Sequence, residues 1–395
     1  MSISIIGTYN SKFGKLEDKT IYDLIVEAGK GALEDSKVSA KEIDEIWVGN
    51  FSAGGFNNQE HIAAWATKID PDLRYKPCTR TEVACASGAA AVKAGMYSIL
   101  AKKAKFVLVI GVEKMCTLDI KGVTKTLAMA SYWPDEGAKG TTFPGLFAKF
   151  SEGYQKYHNY SREQMDKWQA MVAVKNHSNA MKNPLAQMHR EYTLEFASQV
   201  SDKNPMIAPP LKLSDCSLVS DGAAALVLVD TEIAKSIKDK VVEISSLAHV
   251  NEYLPISDRS VYENRPGKIA IQKAYKEAGV NVNDIKVAEV HDCFTINEML
   301  SYEAMGLCKD GEAGKILEAG DVVHAGGRCP VNLSGGLKAK GHPVGATGVS
   351  MHVLIARQLI GEAIGIQAQN ADIGLVFNVG GANVTNIVSI LKRVK

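Results

Sequence analysis

Ile25–Phe51 reads IVEAGKGALEDSKVSAKEIDEIWVGNF, and Pro266–Cys293 reads PGKIAIQKAYKEAGVNVNDIKVAEVHDC. At a constant offset, Ala28, Ala32, Val38, Ile43 and Val48 fall on Ala270, Ala274, Val280, Ile285 and Val290. Each copy reads as an amphipathic helix, a short polar turn and a buried strand. A second unit repeats as well. Cys85–Gly88 opens an Ala/Gly-rich helix to about Leu100, followed by the apolar strand Phe106–Val112. Gly345–Gly348 opens a similar helix to about Ile360, followed by the strand Ile373–Val379. Strand–helix units present twice predict duplicated α/β halves. In such sheets sites form where strands end and helices begin, which brings the loops of the two halves face to face.

Residues 120–204 fit neither copy. They hold Trp133-Pro134-Asp135-Glu136-Gly137, a helix-like stretch Pro144–Tyr157 and another over Ser161–Met181, where Ser161 and Gln164 resemble a capping box. The first half resumes at Ser220-Asp221-Gly222 and the strand Ala223–Val229. The expected division is 1–119 for the first part of the N-terminal half, 120–204 for an insertion, 205–245 for the last strands of that half and 246–395 for the C-terminal half.

With 395 residues, 46% hydrophobic and 23% charged, the chain can bury two or three cores. A net charge of +1 gives no field to recruit nucleic acid or a membrane surface. Met1–Gly7 reads as a strand without the basic start of a signal peptide, no run of eighteen apolar residues exists, and Leu391–Lys395 is not a peroxisomal address. Seven cysteines at irregular spacing, without a C-x-x-C pair, argue against a zinc ribbon and a disulfide framework. A reducing cytoplasm fits best.

Four residues carry candidate chemistry. Cys85 sits in Thr81-Glu82-Val83-Ala84-Cys85-Ala86-Ser87-Gly88. A free cysteine is ordinarily a small buried hydrophobe, but a helix start favours a thiolate and Ala86-Ser87-Gly88 leaves it unshielded. His342 lies between Gly341 and Pro343, with Gly335, Gly336, Gly345 and Gly348 nearby, so another group can approach closely. A neutral imidazole near a thiol is the expected activator. His291 and Cys293 follow the strand Lys286–Val290, and their i, i+2 spacing puts them on one face. The plain alternative is a buried cysteine beside a capping histidine. A thiol titrating near ~8.5 suits proton shuttling. Cys78, Cys116, Cys216, Cys308 and Cys329 lack a second motif and read as structural, and Asp221 reads as a turn residue.

EVACASGAAA (82–91), HDCFTINEMLSYEAMGLC (291–308), NLSGGLKAKGHPVGATG (332–348) and FNVGGANV (377–384) occur in this order. On these phrases the chain resembles the thiolase superfamily, in the branch of sterol-carrier-protein-type thiolases and archaeal acetyl-CoA acetyltransferases. The resemblance spans essentially the whole chain. It implies an α/β thiolase fold of two duplicated βαβαβαββ halves. These would form a five-layered α-β-α-β-α core, with an inserted loop domain that covers the site and binds coenzyme A. The implied activity is acetyl-CoA C-acetyltransferase, condensing two acetyl-CoA to acetoacetyl-CoA. Cys85 would carry the acyl group, Cys293 would move the α-proton, and His342 would activate Cys85 and hold a thioester oxygen. His291 would place a water or donor at an oxyanion hole, and the N–H groups of Cys85 and Gly380 would form a second one.

Two departures bear on this. Most other thiolases carry Asn-Glu-x-Phe where this chain has His291-Asp292-Cys293-Phe294. Many carry an acid/base cysteine in the last glycine-rich loop, where this chain has Asn378-Val379-Gly380-Gly381, and an asparagine exchanges no proton. The acid/base role therefore passes to Cys293. Rivals are a degradative 3-ketoacyl-CoA thiolase, a ketoacyl synthase and a non-catalytic acyl-CoA-binding scaffold. No metal or redox cofactor is implied, and the residues that touch coenzyme A are not assigned. The resemblance further implies a cytoplasmic homodimer or homotetramer in lipid metabolism (the mevalonate pathway). Its expected partners are hydroxymethylglutaryl-CoA synthase and a small zinc-ribbon/OB-fold protein.

Overall fold

The repeat holds down to its turns in the computed structural model, which describes residues 2–395. The Ser39 backbone N–H donates to the Glu42 carboxylate, and the Asn281 N–H donates to Asp284 in the same way. Each pair caps the start of a single helical turn that leads into a buried strand. The N-terminal half runs β1 (Ile3–Asn10), α1 (Ile21–Ser36), β2 (Ile43–Gly49), α2 (Ala53–Asn57), β3 (Cys78–Thr81), α3 (Ser87–Leu100) and β4 (Phe106–Glu113). The insertion holds α4 (Ile120–Ala128), α5 (Phe143–Tyr157), α6 (Arg162–Ala180) and α7 (Leu194–Ser198), and the short strands β5 (Met206–Ala208) and β6 (Leu211–Lys212) follow it. Then come β7 (Gly222–Asp230) and α8 (Thr231–Ile237). The C-terminal half runs β8 (Val242–Asn251), α9 (Arg265–Ala278), β9 (Val287–Val290), α10 (Thr295–Met305), α11 (Ala313–Ala319), α12 (Val344–Leu359), β10 (Ile373–Gly380) and β11 (Thr385–Arg393).

The strands line up as β3-β2-β4-β7-β1-β8-β11-β10-β9. Five belong to the first half and four to the second, and the halves join where β1 meets β8 over three residue pairs, Ile3–Ile5 with Val242–Ile244. The missing fifth strand survives as a single parallel bridge, Val331 beside Ala288. With it counted, both halves share one strand order. Apolar side chains alternate to opposite faces along β4 and β7. Phe106, Leu108, Ile110 and Val112 face α1, while Val107 and Val109 face a central layer built by α3 and α12. The C-terminal strands do likewise, with Val376 and Ile387 facing inward and Phe377 and Val388 facing the outer core under α9 and the insertion. The result is the α-β-α-β-α layering of the thiolase fold.

One expectation needs adjusting. β8 is the first strand of the C-terminal half because it pairs with β11, so the halves divide ahead of Val242 and not at 245/246. The apolar strand Phe106–Val112 is buried between β2 and β7. Ser161 caps α6 through the Gln164 N–H.

Glycines fix the spacing of the central helices. A Cβ on Gly348 would lie 2.3 Å from the Ala89 nitrogen, and one on Gly88 would lie 2.7 Å from the Gly345 carbonyl oxygen. Backbone therefore meets backbone where α3 and α12 begin. Gly348→Ala should lower stability by about 1–3 kcal/mol, as overpacking does, and lower activity with it. Urea unfolding beside an activity assay measures both.

Candidate active site

Cys85 stands on a tight turn between β3 and α3. Ala84 has φ 53°, a left-handed conformation that costs a residue with a Cβ about 1–2 kcal/mol. The Ser87 hydroxyl holds this turn, donating to the Ala84 carbonyl (2.6 Å) and accepting from the Val83 N–H (3.0 Å). Strain of this kind, stored beside one particular side chain, is characteristic of functional sites. Cys85 is 8% exposed and precedes the helix by two residues. Burial pushes its thiol up to about 12. The Gly381 N–H bonds to the sulfur and opposes that rise, but does not overcome it. The helix-start argument for a resting thiolate is thus overturned by desolvation, and Cys85 needs a base.

Two histidines supply opposite faces. The Cys85 sulfur, one ring nitrogen of His291 and one of His342 lie within 4.8 Å of one another. The two rings stand edge to face, 5.0 Å apart. Asn378 fixes one tautomer. Its amide nitrogen donates to the Cys85 carbonyl, which can only accept, and to His291 Nδ1, each at 3.1 Å. His291 Nδ1 is then an acceptor, so the proton sits on Nε2. Thr347 fixes the other. Its hydroxyl donates to the Pro343 carbonyl (3.0 Å) and accepts from His342 Nδ1 (2.7 Å), which leaves a lone pair on His342 Nε2. Both Nε2 atoms are buried without a partner. Burial drives His291 down to about 3 and His342 well below its ordinary value, so both rings are neutral. One presents a donor and the other an acceptor. A thiol and two imidazoles would also suit zinc, but His291 offers a proton and not a lone pair.

Asn378→Asp tests this arrangement. A carboxylate there would oppose the Cys85 carbonyl and draw a proton onto His291 Nδ1, raising that histidine. Activity should fall by about 10²-fold or more, as general acid–base and tautomer losses do, and a new pH dependence should appear. A pH–rate profile checks it.

Cys293 is buried on the same loop as His291, outside the three-atom cluster. Burial holds its thiol well above 9.0, which corrects the expectation of ~8.5. Its loop is clamped on both sides. The Ser217 N–H donates to the Cys293 carbonyl at 2.9 Å. Phe147 of α5 stacks on Phe294 at 4.5 Å, so the insertion covers this loop. Asp292 between the two candidates points away. It accepts from the N–H groups of Leu337 (2.6 Å) and Lys338 (3.1 Å) and anchors the π-helical turn Gly336–Lys340 that leads to His342.

Other parts escaped the sequence. Asp221 is no plain turn residue. It is fully buried, accepts from the N–H groups of Leu16, Met115 and Cys116, and pairs with Lys114 at 2.6 Å. Glu113 at the end of β4 accepts from the N–H groups of Phe51, Ser52 and Gly345, which ties the start of α12 to the N-terminal half. A buried carboxylate at a strand end has no local signature. Thr347 was visible as part of GHPVGATG, yet nothing there pointed at its bond to His342.

Two family models cover most of the chain. "Thiolase, N-terminal domain" matches residues 3–208, and "Thiolase C-terminal domain-like" matches residues 248–393. The chain belongs to the thiolase family. It is 39% identical to an acetyl-CoA acetyltransferase of Methanothermobacter thermautotrophicus over 99% of both chains. Human sterol carrier protein 2 is 31% identical over 98% of this chain and 71% of its own length. Among solved structures, the Ltp2-ChsH2(DUF35) aldolase superposes with a TM-score of 0.83 at 24% identity, covering 99% of this chain and 98% of that one. The chain is therefore a thiolase-type acyltransferase, of the branch that the sequence phrases indicate.

Proposed function

We propose that the protein is an acetyl-CoA C-acetyltransferase that interconverts two acetyl-CoA with acetoacetyl-CoA and coenzyme A. The observation that carries this reading is the pair of opposite tautomers beside Cys85. The His342 Nε2 lone pair takes the Cys85 proton as sulfur attacks the first thioester, and returns it to the departing coenzyme A sulfur. The Cys85 and Gly380 N–H groups receive the acyl oxygen. Cys293 then moves the methyl proton of the second acetyl-CoA, while His291 Nε2–H, directly or through a water, and His342 hold the enolate oxygen. Carbon attacks acetyl-Cys85, the Cys85 thiolate leaves, and the proton that Cys293 took passes to it, which restores the Cys85 thiol and the Cys293 thiolate. These steps need only side chains and two thioesters. The archaeal relative named acetyl-CoA acetyltransferase supports the acetyl substrate.

The test is thiolysis of a 3-ketoacyl-CoA series with coenzyme A. The highest kcat/KM is expected for acetoacetyl-CoA, and a maximum at longer or branched chains would favour the degradative alternative. Direction has its own signature. Condensation consumes a Cys293 thiolate, whereas thiolysis uses the thiol that burial already favours. Condensation should therefore climb with pH from 6 to 9 while thiolysis stays flatter.

For assembly we propose a homodimer or dimer of dimers. β3 has β2 on one side and no strand on the other among the described residues, so it offers an open edge. A sedimentation mass near 42.5 kDa at micromolar concentration would count against it. The proposed partners are hydroxymethylglutaryl-CoA synthase and a small zinc-ribbon/OB-fold protein, which would draw an uphill condensation forward. The solved neighbour whose name pairs Ltp2 with ChsH2(DUF35) gives a precedent for a thiolase-fold chain with a second protein. Among the described residues no helix is long and apolar enough to cross a membrane. A cytoplasmic location accords with the cysteine usage.

A further inference from the structure

Near its end, helix α6 of the insertion buries Lys175, Asn176 and Asn179. Two amides of this region hold backbone. Asn179 Nδ2 donates to the Asn332 carbonyl at 3.1 Å. Just past the helix, Asn183 Nδ2 donates to the Ser334 carbonyl at 2.8 Å, and its Oδ1 accepts from the Leu185 N–H at 2.9 Å. Asn176 differs. Its Nδ2 donates to Asp292 Oδ2 and to Glu298 Oε2, each at 2.7 Å, and its Oδ1 accepts from the Lys175 ammonium. Both N–H groups and the oxygen of this amide are thereby used.

Both acids belong to the framework of the site. Asp292 stands between His291 and Cys293 in the chain, and its oxygens also take the N–H groups of Leu337 and Lys338, on the turn that leads to His342. Glu298 lies on α10, directly after the loop. It takes Lys175 at 2.8 Å, the Tyr302 hydroxyl, and Asn332 Nδ2 at 2.9 Å. Asn332 Oδ1 in turn accepts from the N–H of Val290, the residue before His291. Asn176, Asp292 and Glu298 are fully buried. Among the described residues these two carboxylates share one ammonium within 4.0 Å, that of Lys175 on Glu298. Like charges close together in a dry interior repel, and one N–H offered to each holds both in place. Backbone donors fix Asp292 from the side of the turn, and Asn176 fixes it from the side of the insertion.

We propose that Asn176 is a positioning residue of the condensation step, through which α6 sets where the His291–Cys293 loop stands against Cys85. A misplacement of about 1 Å in such a loop costs on the order of 10²-fold in rate, because proton transfer needs its atoms within hydrogen-bond reach. Asn176 acts through Asp292, and no bond to it forms or breaks. The inference rests on His291 and Cys293 acting as in the proposed reaction.

The test compares Asn176→Leu with Asn183→Leu in steady-state condensation, beside thermal unfolding and ring-nitrogen NMR of His291 in the intact enzyme. Each change removes a fully buried amide that bonds on both sides, so each should lower stability. Asn176→Leu should also lower kcat by about 10²-fold, leave KM for acetyl-CoA unchanged and shift the His291 signals. Asn183→Leu should keep kcat and the His291 signals. Asn176→Asp gives the same reading if the leucine variant does not fold, and it adds a pH signature. The new carboxyl would face Asp292, Glu298 and Lys175. Between two acids it holds its proton more readily, and only the protonated form can donate. Its kcat relative to wild type should therefore rise as the pH falls from about 8 to about 6. A folded Asn176→Leu with wild-type kcat, a loss confined to KM, an equal fall of kcat in Asn183→Leu, or a pH-independent ratio for Asn176→Asp would each overturn the proposal. Near-normal condensation by Cys293→Ala would instead remove the reaction on which it rests.

Discussion

Replacing Cys85 by alanine is expected to lower thiolysis of acetoacetyl-CoA by about 10⁴-fold or more, the scale of losing a covalent nucleophile. No neighbouring thiol can substitute. Cys293 is outside the cluster formed with the two histidines, and its own thiol is held well above 9.0. The variant should fold, since alanine relieves nothing and removes only one small group from a cluster that includes Phe51, Phe56 and Met115. Peptide mass spectrometry after incubation with acetyl-CoA should find the acetyl group on Cys85 in the wild type and nowhere in the variant. Acetylation at Cys116 or Cys308, with activity retained, would remove the assignment.

Cys293→Ala separates the two half-reactions. It should still accept an acetyl group on Cys85, because the base for that step is His342. Condensation and thiolysis should each fall by about 10²–10⁴-fold, the usual contribution of a general acid–base group. A truncated side chain beneath Phe294 also leaves a small void, so thermal unfolding should be recorded alongside. Near-normal condensation with normal stability would point to another base. Because burial raises both thiols, slow alkylation of either is expected at neutral pH.

Much of the fold was legible because it is written twice. Ala28 with Ala270 and Val48 with Val290 mark the same helix face and the same strand in each half, and periodicity reads such pairs directly. The site residues were legible because Cys85, His291, Cys293 and His342 each sit where a strand or turn feeds a helix. What sequence could not give was their ionisation. A helix start argues for a thiolate, yet 8% exposure outweighs it, and exposure depends on residues far along the chain. The tautomers likewise depend on Asn378 and Thr347, whose partners are set by strand register and helix spacing. Asp221 reads as a turn from its neighbours Ser220 and Gly222 and becomes a buried hub only when Leu16 and Met115 arrive. The boundary at 245/246 missed because β8 is apolar on both sides of it, and only pairing with β11 assigns the strand.

The asymmetry between the halves sets a limit on growth. At one end of the nine strands β3 is open. At the other, the Pro330–Asn332 segment takes up the hydrogen-bonding groups of Ala288, and the Asn332 side chain accepts from the Val290 N–H. A sheet open at both ends can add copies without end, as fibres do. A sheet open at one end can join a single other copy, edge to edge and antiparallel, and is then used up. The reduced strand at Val331 thus acts as a stopper. Lengthening the Val331 segment into a full edge strand would be a route from a closed pair to a filament.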